Sequence, residues 1–273
     1  MMIGVNLTLE DVLGFIYVSA WSISMYSPLW ENLKCKSARG ISMDFAILNT
    51  MGYFYLLLSI YLQIFHWVPY DSSLASKMVD PNATVANMDV NNLDAPKLTM
   101  FDLFYCFHGE IINLVTLSQL FWGKSLWKFP EDRYRRMKSL YFKIFLISLS
   151  LFFVLTIQFC HDNWISGNWN NQRTLQYCNK LFILKISMSL IKYIPQVKHN
   201  AARKSVKGFS IHGVMLDIVG SIASVLQLLL QLSRENGFSW MLVVLNFGKI
   251  GLSLVTMTFC SVFIVQWLIY GNE

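Results

Sequence analysis

Seven long apolar runs, almost free of charge, recur along the chain and are separated by stretches in which the charges collect. They cover about residues 12–30, 44–67, 102–122, 141–160, 177–197, 211–233 and 240–270. Each is close to the roughly 20 residues that an α-helix needs to cross a bilayer. Lipid offers no partner to backbone polar groups, so a spanning segment of this length reads as a helix. The pattern predicts an all-α integral membrane protein with seven transmembrane helices and one long loop at 68–100, rich in Asp, Asn, Ser and Pro.

The fifth run breaks the apolar pattern in an ordered way. Lys185 and Lys192 lie seven residues apart, nearly two helical turns, so both ammonium groups project to one side. A charge at bilayer depth costs about 2.5–3.5 kcal/mol, so these lysines are expected to face a polar interior rather than lipid. Pro195 and Gln196 follow at once.

Shifted by 168 residues without gaps, residues 16–52 lie on 184–220 with nine identities in 37 positions. Ser19 meets Ser187, Asn32 meets Asn200, Lys36 and Ser37 meet Lys204 and Ser205, Gly40 meets Gly208, and Gly52 meets Gly220. The offset spans four helices, so both copies run in the same direction through the membrane. The expected architecture is two parallel three-helix bundles, runs 1–3 and 5–7, joined by run 4 within a single domain, 1–273. The repeats occupy about 11–67 and 177–240. Such a pseudo-two-fold places a binding site at the interface of the bundles, where the repeat pairs Asn49 with Asp217.

Composition adds orientation. The chain is 55% hydrophobic, with 14% charged residues, a mean hydropathy of +0.44 and a net charge of +6. Soluble domains average about 25% charged residues. The basic residues gather between runs 1 and 2 (Lys34, Lys36, Arg39), 3 and 4 (Lys124 to Lys138) and 5 and 6 (Lys198 to Lys207). The positive-inside rule then puts the N-terminus in the lumen and the C-terminus in the cytosol. That distribution accounts for the net charge without nucleic acid. The basic amphipathic stretch Trp127–Lys138 reads as contact with lipid headgroups. Glu10 and Asp11 precede the first apolar run, so no cleavable signal peptide is expected and the first helix serves as insertion signal. Sequons at Asn6 and Asn82 fall on the predicted lumenal side. Cys160 and Cys178 sit at the lumenal ends of runs 4 and 5, where an oxidising compartment permits a disulfide. No cysteine or histidine spacing calls for a metal, and no nucleophile–base pair calls for an enzyme.

The motif Lys192-Tyr-Ile-Pro195-Gln196, followed by Lys204-Ser205 and Gly208-Phe209-Ser210, resembles a second PQ-loop. Trp21-Ser-Ile-Ser-Met25-Tyr, then Asn32, Lys36-Ser37 and Ser42-Met-Asp44-Phe45 through Leu48-Asn49, resembles the first. Together they resemble the cystinosin family, proton-coupled exporters of cystine from lysosomes or, in yeast, from vacuoles or endosomes. The resemblance implies a substrate cavity lined by Trp21, Met25, Asn49, Lys185, Lys192 and Asp217. It implies proton coupling at Asp102 and Asp217, with Asp44 at the cytosolic end of the second helix, and it also matches Lys249. Cystine carries two ammonium and two carboxylate groups, which lysines and a carboxylate answer, and between substrates the lysines and Asp217 neutralise each other. The expected partners are L-cystine, protons as coupling ion and membrane lipid, with no other cofactor. Pro28, Pro195 and Gln196 are the expected hinges. The first Pro-Gln is displaced to Ser27-Pro28, a family asparagine is Gly213, a family aspartate is Cys260, and Glu110 has no counterpart in the pattern. His108 reads as helix packing. The family's N-terminal lumenal domain and C-terminal tyrosine sorting motif have no match in the sequence. A transporter of another amino acid, or a seven-helix sorting or signalling receptor, is the alternative; paired lysines argue against cationic cargo.

Overall fold

The computed structural model describes residues 8–67, 98, 100–130, 136–167, 169–234 and 247–271, and their side chains apart from Phe101, Ser166 and 231–250. Seven helices form among them: α1 (Leu9–Lys34), α2 (Met43–Phe65), α3 (Met100–Phe121), α4 (Ser139–Ser166), α5 (Asn171–Arg203), α6 (Ile211–Arg234) and α7 (Phe247–Tyr270). The loop 68–100, apart from its last residues, and Asn6 and Asn82 lie outside the described residues. α1 and α5 extend past their apolar runs at both ends and start on side-chain caps, from Thr8 and Asn170. α1 starts in a capping box: Asp11 N–H donates to Thr8 Oγ1 at 3.3 Å and Thr8 N–H to Asp11 Oδ2 at 3.0 Å.

Among the described residues, five helices are long and apolar enough to span a membrane by composition. α3 and α5 are not among them, because they carry the polar residues that turn toward the centre. α1 and α2 each pack on α3, and α5 and α6 each pack on α7; α1 lies along α6, and α2 along α5. α4 docks outside, on α5 and the edge of α2. Lipid removes the hydrophobic drive for this association, so close packing and interhelical hydrogen bonds carry it. Phe159 stacks on Tyr177 with ring centroids 4.5 Å apart, Tyr177 and Thr156 hydroxyls pair at 2.7 Å, and Tyr55 pairs with Ser148 at 2.8 Å.

The repeat is legible atom by atom. α1 and α5 end in left-handed residues at equivalent positions, Lys36 (φ 46°) and Lys204 (φ 48°). In the first bundle Asn32 Nδ2 donates to Gln119 Oε1 at 2.9 Å, and Gln119 Nε2 to the Leu29 carbonyl at 3.5 Å. In the second, Asn200 Nδ2 donates to Gln266 Oε1 at 3.1 Å, and Gln266 Nε2 to the Val197 carbonyl at 2.9 Å. The same tie thus locks α1 to α3 and α5 to α7, and it sets Gln266 as the counterpart of Gln119, an offset of 147 in the third helices.

One expectation needs correction, and other residues find their places. Cys160 and Cys178 are both free; Cys160 is exposed, whereas Cys178 is buried and points at α2, its thiol donating to the Ser59 carbonyl at 3.4 Å. Pro28 and Pro195, the expected hinges, stand inside α1 and α5, which run through both prolines. Asp44 is 3% exposed and outside the cavity lining; its Oδ1 accepts the Lys138 N–H at 2.9 Å, so it anchors the start of α4.

Candidate functional site

A cavity of about 140 Å³ opens between the bundles. It is lined by Trp21, Met25, Asn49, Lys185, Lys192 and Asp217, together with Tyr53, Tyr105, Asn113, Tyr193, Thr256 and Cys260. All six residues expected at the substrate site therefore converge. Helical periodicity brings Lys185 and Lys192 to one face of α5, and both are buried, at 3% and 8% exposure.

The two lysines have different surroundings. Lys192 Nζ donates to Asn49 Oδ1 at 2.6 Å and lies 4.6 Å from the Tyr193 ring centre. Asn49 Nδ2 in turn donates to Asn113 Oδ1, and Asn113 Nδ2 to the Gly109 carbonyl at 2.8 Å. A chain of hydrogen bonds thus runs from α5 through α2 to α3 and fixes the orientation of each amide. Lys185 Nζ sits 4.0 Å from the centre of the Tyr53 ring, whose π-face attracts the cation. Its stem passes over Gly52, where an added Cβ would stand 3.2 Å from Lys185 Cδ.

The carboxylates divide between the lysines. Asp217 interacts electrostatically with Lys192 across the cavity, with the Ser24 hydroxyl of α1 beside it. Glu110 interacts with Lys185, and its Oε2 is buried without a hydrogen-bond partner. Among the described residues no contact ion pair joins either acid to either lysine, so neutralisation acts through space. Trp21 Nε1 donates to the Asp217 carbonyl at 3.3 Å, and its ring occupies the space that a Cβ at Gly220 would need. Gly213 likewise makes room for α1: an added Cβ would lie 2.8 Å from Ser27 Cβ. Gly213 thus lets α1 approach α6 closely at Ser27.

Asp102 stands half-buried in the first turn of α3, off the cavity lining and within electrostatic reach of Tyr17 and Cys106. The side chain of Lys249 lies outside the described residues. His108 meets the Tyr26 hydroxyl, which ties α3 to α1 as helix packing. Gln196 is fully buried: Ser42 N–H donates to its Oε1 at 2.8 Å, and its Nε2 donates to the Gly40 carbonyl at 3.0 Å. It therefore clamps the α1–α2 loop to α5. Sequence reasoning missed Asn113, which stands eleven residues after Asp102, three turns on along the same face. It also missed the aromatic floor of Tyr53, Tyr105 and Tyr193, since tyrosines are common in every run.

The PQ loop repeat model matches residues 9–68 and 177–237. The chain is 50% identical over 266 residues to a cystine transporter of Saccharomyces cerevisiae, covering 97% of this chain and 95% of the relative. Cystinosin of Bos taurus is 30% identical over 94% of this chain and 62% of its own length. A cystinosin homolog of Dictyostelium discoideum is 28% identical over 96% of this chain and 81% of its own. With both repeats matched and half of all aligned residues shared over nearly the whole length of one relative, the chain belongs to the cystinosin family of PQ-loop membrane proteins.

Proposed function

We propose that the protein exports L-cystine, together with protons, from an acidic vacuolar, lysosomal or endosomal lumen to the cytosol, with its N-terminus lumenal and its C-terminus cytosolic. The observation that carries this reading is the placement of Lys185, Lys192, Asp217 and Asn49 around one cavity at the bundle interface. A zwitterion with two carboxylates and two ammonium groups needs cations and an anion in one closed space, and hydrogen bonds to charged groups are the strong ones. The names of the relatives, cystine transporter and cystinosin, support the same cargo.

Cystine is net neutral near neutral pH, so a co-transported proton supplies the charge that a gradient acts on. Each pH unit contributes about 1.4 kcal/mol per proton. A lumen-positive potential adds about 2.3 kcal/mol per charge for every ~100 mV. Asp217, with cargo and lysine within reach, is the acceptor at the cavity; Asp102 stands at the lumenal end of α3 as a second. Gly40 and Gly208, the loops that bear them, and the clamp of Gln196 close the opposite end. Alternating access follows as the two bundles rock about the prolines of α1 and α5.

Uptake of labelled cystine by protein redirected to the cell surface, under an outside-acid gradient and with an uncoupler as control, tests the reading. Cystine accumulation that collapses with the uncoupler is expected. Flux of another amino acid without cystine flux would overturn it.

A further inference from the structure

The two bundles share a backbone plan but differ sharply inside. The first holds Trp21, Tyr53, Leu56 and Cys106; the equivalent positions of the second, 168 residues on in the first two helices and 147 on in the third, are Ser189, Ser221, Ser224 and Ser253. All four serines are 2% exposed or less. Where the first bundle packs two large aromatic rings, an isobutyl group and a thiol, the second presents four small hydroxyls from α5, α6 and α7. In the first bundle Cys106 packs with Leu56 in one apolar cluster, so the repeat sets Ser253 against Ser224.

A serine in a membrane helix commonly returns its hydroxyl to the carbonyl four residues earlier, as Ser221 does to Asp217 at 2.8 Å. Ser189, Ser224 and Ser253 do not: each hydroxyl is buried without a partner. An unpaired buried hydroxyl costs about 1–3 kcal/mol, and water is what pairs such groups in protein interiors. Along α6 the polar series continues from Asp217 through Ser221 and Ser224 to Gln227. There Gln227 Nε2 donates to the Glu10 carbonyl at 3.1 Å and fills the space left by Gly14 in α1.

We propose that this serine-lined interior of the second bundle holds a file of water that carries protons from the Glu10 end of the molecule to Asp217, apart from the cystine path between the bundles. The proposal rests on the proton-coupled reading above. A proton enters at the Gln227 end, O–H bonds break and form in sequence along the file, and the last forms on the Asp217 carboxylate; nothing is oxidised or reduced. The groups facing Asp217 are Lys192 and Tyr193 of α5, Tyr53 of α2, Tyr105 of α3, Cys260 of α7 and the Ser24 hydroxyl of α1. The first bundle, closed by Tyr53 and Leu56 at the matching turns, offers no such file.

Ser224→Ala combined with Ser253→Ala removes two hydroxyls with little change in volume. The full-length protein in vesicles is then measured twice: for cystine uptake driven by a pH gradient, and for cystine counterflow at equal pH, which needs no net proton movement. The gradient-driven rate should fall about tenfold or more, the scale of a lost proton-transfer group, while counterflow stays within about twofold. Ser261→Ala, which removes an exposed hydroxyl of α7 that returns to the Met257 carbonyl at 2.9 Å, should leave both rates unaltered. Equal slowing of both rates by the double variant would mark a packing role and overturn the proposal, as would no change in either. Wild-type protein without cystine counterflow would overturn the transport reading and the file together.

Discussion

Gly40 and Gly208, 168 residues apart and equivalent in the repeat, meet backbone to backbone where the two inter-helix loops cross. A Cβ added to Gly40 would stand 2.1 Å from the Gly208 carbonyl oxygen, and one on Gly208 would stand 3.2 Å from Gly40 Cα. Gly208 also has φ +82°, a conformation that side chains rarely adopt. The contact is made of main chain alone and lies next to Ile41 and Phe209, which line the cavity; we infer that it closes this end. Gly40→Ala should therefore part the loops. Ile41, 2% exposed beside this contact, reports it: a cysteine placed there should react with a thiol reagent several-fold faster once Gly40 is alanine. An unchanged rate would mean that the glycine pair is not the closure.

The clamp that holds this closure is one-sided. Gln196 bonds the Ser42 N–H and the Gly40 carbonyl, whereas its counterpart in α1 is Pro28, which has no side-chain polar group to offer the α5–α6 loop. Gln196→Leu strands a buried donor and a buried acceptor, at about 1–3 kcal/mol each. Thermal unfolding in detergent should shift down accordingly. Pro28→Ala should leave the melting temperature nearly unchanged; an equal loss at both positions would remove the asymmetry.

The fold was legible in the sequence because membrane helices announce themselves by length and the repeat announces its own symmetry through Asn32, Lys36, Gly40 and their partners. Asn49 and Asp217 converge because the repeat pairs them, and Lys185 and Lys192 because seven residues put both on one face of a helix. What the sequence could not show was direction within a turn. Asp44 opens α2 where the resemblance implies a proton-coupling residue, yet its buried carboxylate accepts the Lys138 N–H at the start of α4. Cys178 stands at the right height for a disulfide but faces α2 rather than α4. Glu110, without a place in the family pattern, turned out to be the acid that faces Lys185.

Asp44 provides a clean separation of roles. Its bond to the N-terminus of α4 is a capping interaction, worth about 1 kcal/mol when removed. Asp44→Ala should lower stability by that order and leave the pH dependence of transport intact. A changed pH profile with unchanged stability would return Asp44 to the proton path.

Lys192 is bound at 2.6 Å to Asn49, which is itself held by Asn113, so its ammonium is fixed in place, and on the proposed transport reading it meets a cargo carboxylate. Charge-assisted hydrogen bonds contribute about 1.5–3 kcal/mol, so Lys192→Met should lower cystine kcat/KM by about ten- to a hundredfold while the protein stays folded. Lys192→Arg should not restore it, since a planar guanidinium cannot occupy the place of a point charge between Tyr193 and Asn49. Full activity of the arginine variant would show that charge suffices without the amide chain.

Glu110 and Lys185 make the strongest internal test, because their electrostatic coupling predicts how two changes combine. Glu110 Oε2 is buried without a hydrogen-bond partner, Lys185 is 3% exposed, and each feels the other's charge. Breaking one partner of such a pair leaves an uncompensated buried charge, at about 3–5 kcal/mol, whereas replacing both by neutral groups is often nearly free. Glu110→Gln and Lys185→Met should therefore each destabilise the protein, and the double variant should recover most of the loss. The coupling energy in that cycle should be well above, in size, the scatter for independent sites, about 0.3–0.5 kcal/mol. Additive losses would mean that Lys185 relies on the Tyr53 ring instead. In that case Tyr53→Leu, which removes the ring's attraction for the ammonium, should cost as much as Glu110→Gln.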